Sequence, residues 1–284
     1  MKTWLKNILL LCCLPMVACA QTQPVAKSTA PSPAEASAGF ILEKFIPGSF
    51  SYLDADVLDN IYLITETNQL RKLNSNGDSI ASYNDVKKYG NPSLIDVSNP
   101  MKILVYYRNF STVVMLDRLL TFRNSINLRK LNIFSVKALS ISYDNNTWVF
   151  DEQDYKLKKI SDEGKLLQES SDWRIIMDAV PSPTQIIDRD KFVYLYDSSK
   201  GFYVFDYYGS FKNNIPLFNW HNSTISKNRI MGFANDSLLL YDLTINRQSS
   251  YLLPGILKNC LSIKAINSKL YALKNEGLEI YRIK

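Results

Sequence analysis

At 284 residues the chain is long for one ordinary domain, although all-β barrel-like folds run to roughly 200–250 residues as single units. Its formal net charge is +6, including Lys2 and Lys6, and the remaining basic residues interleave with acids, as where Lys156, Lys158 and Lys159 follow Asp151, Glu152 and Asp154. A nucleic-acid binder needs a basic stripe, and the lone histidine, His221, excludes multi-His zinc and two-His iron sites.

The chain opens with Lys2 and Lys6, an apolar run from Ile8 to Val17, and small residues at Ala18 and Ala20. This is the pattern of a secretory signal, too short and too early for a spanning helix. Two cleavage chemistries are open. Met16-Val17-Ala18-Cys19 resembles a bacterial lipobox, which implies a diacylglyceryl group on the Cys19 thiol, a mature chain starting there and a membrane held through that lipid. Ala18-Cys19-Ala20 also fits an ordinary A-x-A site, which would release a soluble periplasmic or secreted protein starting at Gln21. Residues 1–19 are therefore assigned to the signal.

Residues 20–38 are Ala, Pro, Ser and Thr-rich and contain no aromatic. Such a stretch cannot bury enough apolar area to offset its ordering entropy and reads as a disordered linker. Of four cysteines, Cys12 and Cys13 leave with the signal and Cys260 is left alone among apolar neighbours. No intrachain disulfide is then available, so stability must come from the core.

From residue 39 onward one phrase recurs six times. An apolar stretch begins near Asn60, Lys102, Asn146, Lys191, Asn228 and Ser268, at intervals of 42, 44, 45, 37 and 40 residues. A second landmark keeps step: Leu73-Asn74, Leu116-Asp117, Ile160-Ser161, Phe205-Asp206, Tyr241-Asp242 and Tyr281-Arg282. In the clearest unit, Val136–Asp144 predicts an inner strand, Thr147–Asp151 a second, residues 157–161 a third, and an Asp162-Glu163-Gly164 turn leads to an outer strand at 165–170. The Asn76-Gly77 and Glu163-Gly164 pairs are hairpin chemistry. Second strands such as Ile103–Tyr106 and Phe192–Leu195 are continuously apolar, as strands packed on both faces are. Seventeen Tyr and 13 Phe supply wide side chains for packing between twisted sheets. Short local helices fit only around Ser79–Tyr89 and Leu128–Phe134.

Strand-borne repeats of about 40–45 residues mark propeller blades rather than helical repeats. The predicted fold is all-β, a six-bladed β-propeller over 39–284. Its sixth unit lacks a fourth strand, and Phe40–Ile46 stands unused before the first. Lending that N-terminal strand to the last blade removes two free edges. Residues 59–83 (DNIYLITETNQLRKLNSNGDSIASY) and 144–170 (DNNTWVFDEQDYKLKKISDEGKLLQES) resemble NHL-type six-bladed propeller repeats. The export signal with its linker resembles those of Bacteroidota envelope lipoproteins. No acid occurs between Cys19 and Glu35, so the acidic cluster that resembles a surface-export tag is missing, and a periplasm-facing outer-membrane location is expected.

No P-loop, GxGxxG or CxxC is present, and Ser142–Trp148 misses the sialidase-type Asp-box by one residue and its Gly. No cofactor, metal or catalytic set is expected. His221 lies beside Trp220 in a polar connection with no Ser elbow. Asp54, Asp56 and Asp59 fall near the first turn, Asp144 and Asp151 flank a strand, and Asp188, Arg189 and Asp190 read as a turn. Tyr107, Arg108, Tyr207, Tyr208 and Trp220 are residue types that dominate interface hot spots. The candidate ligand or partner contacts are therefore Asp54, Asp56, Asp144, Asp151, Tyr107, Arg108, Trp220 and His221. The expected function is a protein-binding or scaffolding module for an envelope protein. The alternative is a carbohydrate-binding or carbohydrate-cleaving propeller, which would need two acids about 5–10 Å apart.

Overall fold

The computed structural model describes residues 39–283; the signal, Cys19 and the 20–38 linker lie outside them. Six four-stranded antiparallel sheets form the blades of a six-bladed β-propeller. The inner strands are Phe50–Ala55, Leu94–Asn99, Val136–Ile141, Gln185–Arg189, His221–Ser226 and Ser262–Ile266. Each recurring apolar stretch is the second strand of its blade, as Ile61–Thr65 and Phe192–Asp197 illustrate.

The second landmark has a hydrogen-bonding cause. It ends the third strand, where the polar side chain closes the hairpin to the outer strand. Asn74 Oδ1 accepts the amides of Asn76 and Asp78, Asp117 Oδ1 those of Leu119 and Thr121, and Asp206 Oδ1 those of Tyr208 and Ser210. Such side chains supply the turn's missing acceptor. Gly77 and Gly164 sit at φ +78 in two of these hairpins, a backbone state that glycine adopts at little cost.

The sixth blade has no such hairpin, so Arg282 stands where the other blades have a polar turn residue. Its outer strand is Phe40–Pro47, which pairs antiparallel with Gly277–Ile283 from Phe40↔Ile283 to Pro47↔Gly277. The front of the domain therefore closes its last blade.

The core lies in the seams rather than in one central mass. Each of six hydrophobic clusters draws on two adjoining blades. Tyr62 and Leu70 meet Ile103 and Leu116 between the first and second, and Phe50 and Leu63 meet Tyr271 and Ile280 between the first and sixth. Between the third and fourth, Trp173 is fully buried and stacks at 4.8 Å on both Phe150 and Phe205.

Three local differences from the sequence reading have plain causes. The inner strand of the third blade stops at Ile141, because Ser142 N donates to Asn146 O and Asn145 turns at φ +62. Of the Ser79–Tyr89 region, Ser79–Tyr83 is the outer strand of the first blade, paired with Leu70–Leu73 as its hairpin position predicts, and the local helix is confined to one turn at Val86–Tyr89. The Leu128–Phe134 region holds a single 3-10 turn, Leu128–Leu131, ended by Asn132 at φ +57.

Antiparallel alternation sorts the loops. Connections from first to second and third to fourth strands share one face of the ring. Connections from second to third strands, and from one blade to the next, share the other.

Candidate functional site

The inner strands of all six blades line one axial cavity of about 630 Å³ that opens on the first face. Its wall carries five carboxylates (Asp54, Asp56, Asp96, Asp188 and Asp190) against two cations, Arg189 and Lys264. A basic protein thus has an acidic funnel.

A polar link crosses every seam around this axis. Tyr52 Oη donates to Ile95 O at 3.3 Å, Ile141 N to Asp96 Oδ2 at 2.5 Å, and Trp148 Nε1 to Asp188 Oδ2 at 2.8 Å. Gln185 Nε2 donates to Ser223 O at 2.9 Å, Asn222 Nδ2 to Ser262 Oγ at 2.9 Å, and Lys264 Nζ pairs with Asp54 Oδ1 at 2.8 Å. These links fix the spacing of the inner strands, and four of the funnel's own charged side chains, Asp54, Asp96, Asp188 and Lys264, take part in them.

The carboxylates are not equivalent. Asp54 accepts from its Lys264 partner, from Ala55 N and from Tyr52 Oη. Asp56 is buried and accepts four bonds, from the amides of Leu58 and Asn60, Asn60 Nδ2 and Tyr62 Oη. Burial pushes Asp96 above the ordinary carboxylate value, against the opposing donors Ile141 N and Ser98. Burial likewise raises Asp188, although Tyr207 Oη, Trp148 Nε1 and Tyr143 N all donate to it. Burial and the nearby Asp54 and Asp96 charges hold the Tyr52 phenol well above its usual range.

At the mouth, Tyr143 and Tyr207 stack with ring centroids 4.1 Å apart and planes 6° apart, bridging the third and fourth blades. Tyr143 is 61% exposed, and Lys159 Nζ lies 4.6 Å from its ring centroid. The funnel offers hydroxyls, amides and carboxylates to a polar guest. Four of its acids, Asp54, Asp56, Asp96 and Asp188, accept hydrogen bonds from protein donors, whereas Asp190 is exposed with Arg189 Nε 3.9 Å away. Among the described residues, no group of three or more His, Cys, Asp or Glu side chains is arranged to hold a metal ion.

Of the eight candidate contacts named from the sequence, the funnel brings together Asp54 and Asp56, and it adds Asp188, Arg189, Asp190 and Tyr207, which the sequence reading noted without assigning to a site. Asp144 lies in the hairpin beside the mouth, bonded to Ser142 Oγ and Lys159 Nζ. Asp151 is wholly buried at the end of a second strand, with Lys158 Nζ at 2.7 Å. Tyr107 is buried against Tyr89, its ring 5.1 Å away, and Arg108 is exposed, both on the opposite face. Trp220 is buried against Gly232, and its amide donates to Tyr196 Oη at 2.5 Å. His221 opens an inner strand on that opposite face and is exposed.

Sequence reasoning passed over Asp96, Lys264 and Tyr143, and it placed Asp188 and Arg189 in a turn with Asp190, whereas both belong to the inner strand Gln185–Arg189 and, of the three, only Asp190 turns, at φ +51. The repeat itself carries the missing signal. Adding the first intervals to Asp54 reaches Asp96 and then Ser140, both of which line the funnel.

No protein-family profile matches the chain, and no curated protein matches it by sequence. Among solved structures it is similar to a catalytically inactive virginiamycin B lyase from Staphylococcus aureus with quinupristin, at 12% identity and a TM-score of 0.57, covering 86% of this chain and 89% of that one. It is also similar to a Bacteroides fragilis protein described as a candidate exported protein, at 12% identity and a TM-score of 0.54, covering 88% and 96%. The Pan2 WD40 domain from Neurospora crassa matches at 9% identity and a TM-score of 0.57, covering 82% and 78%. A lyase, a candidate exported protein and a WD40 domain share this architecture, so the likeness shows the fold and leaves function to the site.

Proposed function

We propose that the protein is an exported, lipid-anchored, NHL-like propeller that serves as a binding module of the bacterial envelope. It engages an envelope partner through the face on which the funnel opens. The observation that carries this reading is the convergence of six inner strands on one cavity of about 630 Å³ whose wall carries five carboxylates. That volume lies within the roughly 300–1,000 Å³ typical of ligand sites. The Lys2–Cys19 signal pattern and the 20–38 linker support export, acylation of Cys19 and a tether facing the periplasm from the outer membrane.

The test is recovery of a stoichiometric partner from detergent-solubilised membranes by the tagged full chain. Tyr143→Ala with Asp190→Lys, both at the funnel mouth, is expected to lower that recovery at least about tenfold, the effect of losing one interface hot spot. Recovery of no stoichiometric partner, or equal recovery by this variant, overturns the reading. Mass spectrometry of the mature N-terminus separates diacylglyceryl-Cys19 from free Gln21.

A second reading, carbohydrate binding in the same funnel, is supported by the exposed Tyr143 ring beside a wall of hydroxyls and carboxylates. Cleavage is less well supported, since Lys264 engages Asp54 and four donors engage Asp56. Calorimetric titration with envelope oligosaccharides yielding no heat would remove the carbohydrate reading while leaving the protein-partner reading standing.

A further inference from the structure

The face opposite the funnel gathers basic residues that are scattered in sequence. Three neighbouring connections build it: residues 84–93 between the first and second blades, 108–111 within the second, and 128–135 between the second and third. They carry Lys87, Lys88, Arg108, Arg129 and Lys130, all exposed, against one carboxylate within these connections, Asp85, which accepts from Tyr83 Oη. The exposed acids of the same face, Glu66, Asp178, Asp236 and Glu276, lie in other connections, so the basic surface is a patch over the second blade. None of the five cations forms an ion pair within 4.0 Å among the described residues. Nearby Glu152 is engaged by Lys137 at 3.5 Å.

The connections form one contiguous surface. Arg129 Nη2 donates to Asn109 O at 2.9 Å, and Ser111 Oγ to Phe134 O at 3.4 Å. Tyr89 packs edge-on to Phe110 at 6.5 Å, with Lys88 Nζ 4.7 Å from the Tyr89 ring. Two large aromatics project among the cations: Phe110 is 49% exposed and Phe134 48%.

We infer that this basic face docks on an anionic phospholipid surface. Unpaired cations meet head-group phosphates, and Phe110 and Phe134 enter the boundary between head groups and acyl chains. An acidic protein would satisfy the cations but would not need two exposed phenyl rings among them. The described chain enters at Phe40, which pairs with Ile283 at the funnel-side edge. A six-residue strand makes the disc roughly 20 Å thick. The described chain therefore enters on the side of the disc away from the docked patch. The funnel mouth then points away from the lipid. The inference rests on different residues from the funnel and does not require Cys19 to be acylated.

The experiment is co-sedimentation of Gln21–Lys284, which retains every strand of the ring, with vesicles of phosphatidylglycerol in phosphatidylcholine and with phosphatidylcholine alone. Each basic side chain near an anionic surface strengthens partitioning by roughly fivefold. Lys87→Gln with Arg108→Gln and Lys130→Gln should therefore weaken binding about a hundredfold, and added salt should do the same to the parent chain. Arg118→Gln with Lys191→Gln and Lys227→Gln removes the same charge from the funnel face and should change little. Phe110→Ala with Phe134→Ala should weaken the binding that persists at high salt. Binding that ignores phosphatidylglycerol, an equal loss in both charge variants, or binding to an acidic polypeptide but not to vesicles would overturn the inference.

Discussion

Trp173→Ala tests the claim that the ring is held by its seams. The Trp173 side chain is fully buried between Phe150 and Phe205, and its Nε1 donates to Ser170 Oγ at 3.0 Å. Alanine keeps the backbone bonds, Trp173 N to Tyr155 O and Met177 N to Trp173 O. Ser170 Oγ is not orphaned, because it still accepts from Leu157 N and donates to Ser171 O. The loss is therefore transfer plus cavity, about 3–5 kcal/mol for a buried tryptophan. At roughly 2–4 °C per kcal/mol for a domain of this size, the midpoint should fall by about 6–20 °C. Urea unfolding followed by circular dichroism gives the free energy. A double-mutant cycle with Phe205→Ala should show a coupling of about 0.5–1.5 kcal/mol for one aromatic pair. A loss below about 1 kcal/mol, outside the range for buried Trp→Ala, would refute the seam argument. Two resolved transitions would refute a ring whose last blade is closed by its first strand.

A glycine and a pair of aspartates give two further tests. Gly277 sits at φ +153 and an added Cβ would lie 2.2 Å from Ile46 O, so Gly277→Ala should destabilise by at least about 1–3 kcal/mol and speed amide exchange across Phe40–Pro47. Gly255→Ala, with nothing within 4 Å of its Cβ position, should leave that exchange unchanged. Carboxyl NMR titration should separate two aspartates. Burial pushes Asp144 up, but bonds from Lys159, Ser142 and Asn146 outweigh it and hold it at about 2; Asp188 titrates above the ordinary 3.8 because burial dominates. Asp144 therefore adds stability that is present above pH 3.8 and lost as pH falls toward 2, whereas Asp188 favours the folded state below pH 3.8 and loses that contribution as pH rises from there through its raised value. Equal titration of the two would show that these environments are misassigned.

The order of strands was legible because its signals are local. Alternation, continuous apolar runs and turn residues act within a few positions, and their recurrence every 40-odd residues is visible without knowing what touches what. Even the closing strand could be read, since a unit one strand short and an unused strand at the front leave two edges that pairing removes. Burial class was less legible at single aromatics. Trp220 reads as a surface contact in its polar connection, yet it fills a seam because Gly232 leaves room for its ring.

The sequence alone determined the number of blades, the strands within each and the polar residue that closes each hairpin, because those depend on short-range hydrogen bonding and periodicity. Tertiary structure decided which residues meet. Asp54 finds Lys264 only when the sixth blade returns to the first, and Asp188 finds Trp148 and Tyr207 only across and within adjoining blades. Lys87, Arg108 and Lys130 look interspersed along the chain and become one unpaired basic face only because three successive connections emerge on the same side of the ring. Those neighbours are set by rotation about the axis, a long-range quantity that no local pattern encodes.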